Sequence, residues 1–333
     1  MKQFTITKND AGQRLDRWLA KTLPLLPAPL AQKYLRLKRV KRNGRPARRD
    51  ERLEAGDVLS LYINDEFFQT PSRENAFLSV YKPQLDIVYE DENLLLLNKR
   101  PGLLVHPDDK ERVNTLLTQL QAYLYQKKEW SPYAEQSFAP ALCNRIDRNT
   151  GGIVIAAKNA ETLRVMNQKI RDRELEKRYL CIAHGPVSPP RGTLSGFLLK
   201  DEEKARVKVF HRPVPGGRTA VTRYRTLAVG NGLSLLECEL VTGRTHQIRA
   251  HLAAIGHPLA GDGKYGRNAL NKPSGFPYQA LYSYQLRFAF STPAGELEYL
   301  NGREFQAEQV WFLEEFRRFP KPSQERKNVR AAR

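Results

Sequence analysis

The stretch that most constrains this chain is "NRIDRNTGGIVIAAK", where a charged turn, Asn144 to Thr150, runs straight into paired glycines and an apolar run. A continuous apolar run bounded by turn residues reads as a strand buried on both faces. Any fold of this chain must therefore set that strand inside a sheet and hold Asp147 at its entrance. Asp147 lies between Arg145 and Arg148, with no second acid beside it. Two readings are open at this point. The carboxylate is a structural residue of the turn, since aspartate ahead of glycine is common there, or it is a reactive group kept ionised near a polyanion.

The surrounding pattern is mixed. "NLLLLNK" is a short buried strand, and "RPGLLVHP" after it is a turn. Asn159 is placed to cap a helix in which Leu163, Met166 and Ile170 form one apolar face. "RYLCIAHG" and "LSLLECELVT" are strands. In the second, Leu236, Cys238 and Leu240 alternate with Glu237 and Glu239, which predicts an antiparallel strand with one solvated face. The basic segment "KDEEKARVKVFHRPVPGGRTAVTRYRT" reads as a hairpin with Gly216-Gly217 at its tip, either an ordinary exposed hairpin or a positively charged clamp. Neither GxGxxG nor GxxxxGK[ST] occurs, so a βαβ phosphate loop is not expected.

Charge decides what partner to look for. The 333 residues include 55 Lys and Arg against 36 Asp and Glu, a formal net charge of +19. Such an excess attracts polyanions, phosphate backbones first. With 41% hydrophobic residues the chain can bury one sizeable core and a smaller companion. No apolar run approaches the ~20 residues of a membrane span, and "MKQFTITKND" is not followed by a signal-peptide core. Cys143, Cys181 and Cys238 are far apart, so they read as small core residues, with neither a disulfide framework nor a CxxC knuckle. A reducing cytoplasm is expected. His246, His251 and His257 lack zinc-like spacing and read as helix-end and structural hydrogen-bonding residues, so no metal site is expected.

The basic excess is densest near the start. "RLDRWLAKTL" has Leu15, Trp18, Leu19 and Leu23 at helical spacing, and Pro24, Pro27 and Pro29 are expected to end that helix. "QKYLRLKRVKRNGRPARRDERL" follows, with Lys33, Arg36, Lys38, Arg39 and Arg42 among its cations and a tight-turn signal at Asn43-Gly44. "GDVLSLYI" closes the unit as a strand. A basic run is often only a solvated face. Charges gathered on a helix–turn–strand unit favour contact with nucleic acid.

Resemblance to known families sharpens this reading. "RLDRWL", Val40 with Asn43-Gly44, and Gly56-Asp57 before an apolar strand resemble the S-four-like RNA-binding domain. In this chain "PAPLAQK" stands where that family has a serine-arginine element, and "KR" where it has a glycine before the valine strand. "DENLLLLNKRPGLLVHP", "RIDRNTGGIVIAAKN", "EKRYLCIAHG" and "LVTGRTHQIRAHLAAIGHPLAGDGKYG" resemble, in order, the motifs of the RluA-type pseudouridine synthases, over about Asp86 to Phe290. The resemblance implies an α+β catalytic domain on a mixed, largely antiparallel sheet with flanking helices, beside a small α/β RNA-binding domain. The domains expected are 1–64 (RNA-binding), 65–85 (linker), 86–317 (catalytic) and 318–333 (a basic disordered tail).

The resemblance also implies chemistry: uracil is detached from its ribose, rotated and rejoined through carbon five. Asp147 corresponds to the family's nucleophilic aspartate. Tyr179 would stack on the uracil, Arg249 would pair with Asp147, and Arg145 would fill the space left by the flipped uridine. Asn144 replaces the family's usual histidine, and Gly151 its usual serine. Asn144, Arg148, Thr150, Lys177, Arg244, His246 and Gln247 lie in the same motifs and are candidate substrate contacts. Neither metal nor organic cofactor is expected. Ribosomal RNA is the favoured substrate and transfer RNA the runner-up, for a monomer with no obligate protein partner and no membrane association.

Overall fold

The computed structural model describes all residues except 24, 25, 69–75, 133–136, 202, 204, 267 and 319–333. The chain forms two compact units. One comprises Met1–Leu96, Leu104–Asn144 and Ile155–Gln168; the other comprises Leu97–Leu103, Arg145–Val154 and Lys169–Arg333. This division differs from the 1–64 and 86–317 boundaries expected from the sequence. The tail expected from 318 onward lies, past Arg318, outside the described residues.

The first unit opens with β1 (Lys2–Thr5), α1 (Leu15–Thr22), α2 (Ala28–Arg36), β2 (Val40–Arg42), β3 (Arg45–Pro46) and β4 (Val58–Leu61). The strands form a sheet in the order β1-β4-β2-β3. Leu15, Trp18 and Leu19 of α1 are buried with Val40, Leu59 and Leu61, so the helical spacing does face a core. α2 corrects the sequence expectation. Pro27 is its N-cap and Pro29 sits in its first turn, where a missing N–H costs nothing, so these prolines start a helix as well as following one. The loop after β1 is bonded within its own unit: Asn9 Oδ1 accepts the Ala160 N–H (3.2 Å), and Gln13 Nε2 donates to Ser137 Oγ (2.8 Å). Such bonds join the leader to residues beyond 64 within this unit.

The rest of the first unit contains β5 (Ile87–Glu90), most of β6 (Leu94–Lys99), α3 (Leu116–Gln126), β7 (Ala141–Leu142), the far end of β8 (Gly151–Ala157) and most of α4 (Ala160–Arg171). The segment expected as a linker carries short 3-10 turns at Asp65–Phe68 and Ala76–Ser79, with 69–75 outside the described residues. Phe77 is buried and packs edge-on against Tyr125 and Trp130, each at 5.2 Å. Asn159 caps α4 as expected, its Oδ1 accepting the Thr162 N–H at 2.8 Å.

The second unit adds β9 (Leu175–His184), β10 (Arg191–Asp201), β11 (Arg206–Phe210), β12 (Arg218–Gly230), β13 (Leu233–Leu240), α5 (Gln247–Ala254), α6 (Asn268–Ser274), β14 (Leu281–Phe288), β15 (Glu304–Gln306) and α7 (Phe312–Arg318). Its strand order is β11-β10-β12-β13-β9-β14-β8, with β15 on β14. Neighbouring strands in this order pair antiparallel except β14 and β8, which run parallel through Tyr282–Gly151 and Ser283–Gly152. The sheet is therefore mixed and largely antiparallel, and the fold α+β. α5 packs on one face, with Ile248 and Leu252 against Tyr179, Cys181, Tyr224, Leu236 and Cys238.

Two expectations change here. β11 and β12 flank β10 instead of pairing with each other, so Gly216-Gly217 lies on a link between non-adjacent strands. β10 instead pairs antiparallel with β11, Asp201 standing opposite Arg206. Glu237 does not face open water: it is 9% exposed and takes a bidentate Arg225 (2.8 and 3.0 Å) and the Tyr284 hydroxyl. Cys181 and Cys238, remote in sequence, meet across β9 and β13 as free buried thiols 3.7 Å apart. Among the described residues no helix is long and apolar enough to cross a membrane.

Candidate active site

The turn that carries Asp147 is fixed from several sides within the second unit. Thr150 N–H donates to Asp147 O (3.0 Å), and Thr150 Oγ1 accepts from Gln279 Nε2 (3.2 Å). Gly102 N–H donates to Arg148 O (2.9 Å), and Arg148 Nε returns a bond to Gly102 O (3.0 Å). Beneath them Lys99, 1% exposed, donates to the carbonyls of Arg100, Leu103 and Arg148 at 3.0, 2.9 and 2.8 Å. Burial lowers its ammonium to about 7, with Asp147 pulling the other way. Gly152 has φ +110, and a side chain there would strike the Ser283 backbone, so only glycine permits the close parallel pairing.

One carboxylate collects partners from distant segments. Arg249 Nη1 donates to Asp147 Oδ2 at 2.6 Å across 102 positions of sequence. Arg249 is 4% exposed, whereas the Asp147 side chain is 25% exposed. The helix that carries Arg249 is buried from Gln247 to Leu252. The guanidinium also forks onto Asp262 and lies over the Tyr265 ring at 5.2 Å. Tyr179 is 6% exposed on β9; burial pushes its phenol up to about 12, against a hydrogen bond to Ser283 that lowers it.

His246 precedes α5 in a left-handed conformation, φ 53. Its Nδ1 is 3.0 Å from Tyr265 Oη and its Nε2 3.8 Å from Asp147 Oδ2. The Val207 N–H also donates to that phenol oxygen, at 2.8 Å. Burial lowers the imidazole below its usual range, favouring the neutral ring. His251 bonds Thr222 Oγ1 and His257 bonds His184 O, the separate structural roles expected of them.

The remaining candidates fall into two groups. Arg145 and Arg148 are exposed beside Asp147, and Lys177 shares the face of β9 with Tyr179. Arg244 reaches Thr219 O through Nε (3.1 Å). Gln247, by contrast, is 2% exposed and has its amide bonded to Thr242, Val221 and Thr222, which makes it a brace for the turn before α5. Thr150 is a brace of the same kind. Asn144 Oδ1 accepts the Ile155 N–H at 2.8 Å, a local role that needs no imidazole. In the leader, Lys33, Arg36, Lys38 and Arg39 are exposed, but Arg42 is held by Asp57 at 2.6 Å and is a structural pair. Sequence reasoning missed Lys99, Asp262 and Tyr265. Asp262 and Tyr265 lie in "LAGDGKYG", where Asp-Gly reads simply as a turn.

Residues 93–254 match the family described as RNA pseudouridylate synthase. The chain is 31% identical to an uncharacterized RNA pseudouridine synthase of Mycoplasma genitalium, over 86% of this chain and 88% of that one. It is also 31% identical to the ribosomal large subunit pseudouridine synthase C of Vibrio cholerae, over 87% and 89%. Among solved structures, human RNA pseudouridylate synthase domain containing 1 shares the fold, with TM-score 0.51 and 22% identity over 72% of this chain and 97% of that one. Likeness that runs nearly the full length of both partners defines an RNA-modifying isomerase. The chain belongs to the RNA pseudouridine synthases of the RluA type.

Proposed function

We propose that Asp147 supplies the nucleophilic carboxylate of the isomerisation, with Arg249 orienting it. The observation that carries this reading is the 2.6 Å contact between Arg249 and a half-open carboxylate 102 residues away. In the reaction the N1–C1′ bond breaks and a C5–C1′ bond forms. The proton on C5 leaves and N1 gains one, so the product has the composition of the substrate and no net oxidant or donor is consumed. The Tyr179 phenol, raised to about 12, stays protonated at working pH, which suits a stacking plane and hydrogen-bond donor better than a phenolate base. Arg145, exposed two residues before Asp147, is suited to occupy the gap left by a flipped uridine. The favoured substrate is structured large-subunit ribosomal RNA, in keeping with the named relatives, and the S-four-like leader supplies further RNA contact through its exposed cations.

Tritium release from RNA labelled at carbon five of uridine tests the reading. The Asp147→Asn enzyme should release none while binding RNA as the wild type does, because affinity comes from the basic surface. Full release by that variant would remove the assignment. Release from ribosomal but not transfer RNA would fix the substrate class.

A further inference from the structure

Arg249 meets more acid than the proposed chemistry uses. Its Nε and Nη2 donate to the two oxygens of Asp262 at 2.7 and 2.9 Å, leaving Nη1 for Asp147. Asp262 is 0% exposed and is anchored independently, its Oδ1 accepting the N–H groups of Lys264 (2.8 Å) and Tyr265 (3.1 Å). Two physical consequences follow. A planar guanidinium gripped along one edge has the direction of its remaining N–H fixed. A cation already balanced by one carboxylate also binds a second one less tightly.

We propose that Asp262 is a positioning residue for the isomerisation: it aims Arg249 at Asp147 and, by balancing the guanidinium, keeps Asp147 from being bound too tightly to react. The inference rests on Asp147 being the reactive carboxylate. Among the described residues, the charged and titratable groups around Asp147 include Arg249 and His246 at the start of α5, Tyr265 in the turn after it, Lys99 at the end of β6 and Tyr179 on β9, with exposed Arg145 and Arg148 beside it in the chain. Asp262 stands behind Arg249 and reaches Asp147 through it.

The test uses the full chain, tritium release as a function of pH, and RNA affinity measured separately. Asp262→Asn keeps the shape and one acceptor oxygen but removes the charge. Its kcat should fall on the order of 10–100-fold with KM unchanged, and the acid limb of the pH profile should move to lower pH, because Asp147 is then the carboxylate left to balance Arg249. Arg249→Lys asks the converse. An ammonium cannot fork, and a buried carboxylate without a partner is the costlier one to abandon, so the lysine should stay with Asp262 and release Asp147. Its acid limb should move to higher pH. An unshifted limb in Asp262→Asn, whatever the rate, would reduce Asp262 to a structural brace. Should that variant not fold, an unshifted limb in Arg249→Lys overturns the proposal equally. Tritium release by Asp147→Ala, assayed alongside, would instead sink the underlying reading.

Discussion

Two arginine–aspartate pairs, one in each compact unit, use the same chemistry to different ends. Arg42 Nε meets Asp57 at 2.6 Å, and Asp57 also accepts from Asn43 Nδ2 and the Glu54 N–H, both at 2.7 Å. Those bonds close on the Asn43-Gly44 turn and the loop before β4. Arg249 and Asp262 are buried more deeply, with side chains 5% and 0% exposed against 21% and 7% for the leader pair. Their bonding does not close on itself, and a third N–H of the guanidinium, on Nη1, goes to Asp147. The difference is one of geometry: the second pair leaves a donor aimed at a carboxylate whose side chain is 25% exposed.

The widest separation between the two should come from truncating each arginine. Arg249→Ala strands Asp262 in the core and should cost about 3–5 kcal/mol of stability. Turnover should drop on the order of a thousandfold with it. Arg42→Ala should cost about 1 kcal/mol and leave turnover at the wild-type level. Urea unfolding and tritium release measure both, and equal losses would erase the contrast.

Acid should separate the regions next. His251 lies two residues beyond Arg249, and burial lowers its imidazole from 6.5 to about 4. Between those values the unfolded chain holds the proton and the folded one does not, so stability falls as pH drops from 6.5 towards 4. The full loss is about 3 kcal/mol. In the leader pair, hydrogen bonds and Arg42 outweigh burial and hold the Asp57 carboxyl below 3.8. Its stabilisation is complete above 3.8 and is lost only as pH falls through the lowered value. Hydrogen exchange at pH 5 should show α5 opening before the leader sheet, and His251→Gln should flatten the difference.

The smallest effect sharpens the division within the leader itself. Replacing Lys33, Arg36, Lys38 and Arg39 by serine should weaken RNA binding and make its salt dependence shallower by roughly 0.7 for each phosphate no longer neutralised. Arg42→Ser should change neither, since its guanidinium is already committed to Asp57. Filter binding at several salt concentrations decides it.

What could be read from the sequence was local. α1, the Asn43-Gly44 turn, β6, β8, β9 and the Asn159 cap follow from periodicity and capping chemistry within a few residues of each other. α2 was hidden because Pro27 and Pro29 read as stops, although proline is equally at home in a helix's first turn. The placing of β11 and β12 on either side of β10 is a matter of long-range pairing, which no local pattern encodes. Asp147, Tyr179 and Arg249 stood out through motif resemblance, and Asp262 did not. An aspartate before glycine looks like turn chemistry until the guanidinium thirteen positions earlier is seen folded back onto it.

The parallel seam between Gly151-Gly152 and Tyr282-Ser283 sets a timetable for synthesis. Asp147 leaves the ribosome with its strand, but β14, on which that strand's entrance is laid, is made more than a hundred residues later. Long-range pairing closes late because the intervening chain must first be gathered in. A nascent chain that has made Asp147, Tyr179 and even Arg249 therefore still lacks the backbone against which the aspartate's turn is set. The aspartate's turn waits on β14, and fragments that end before it would be expected to bind RNA without altering it.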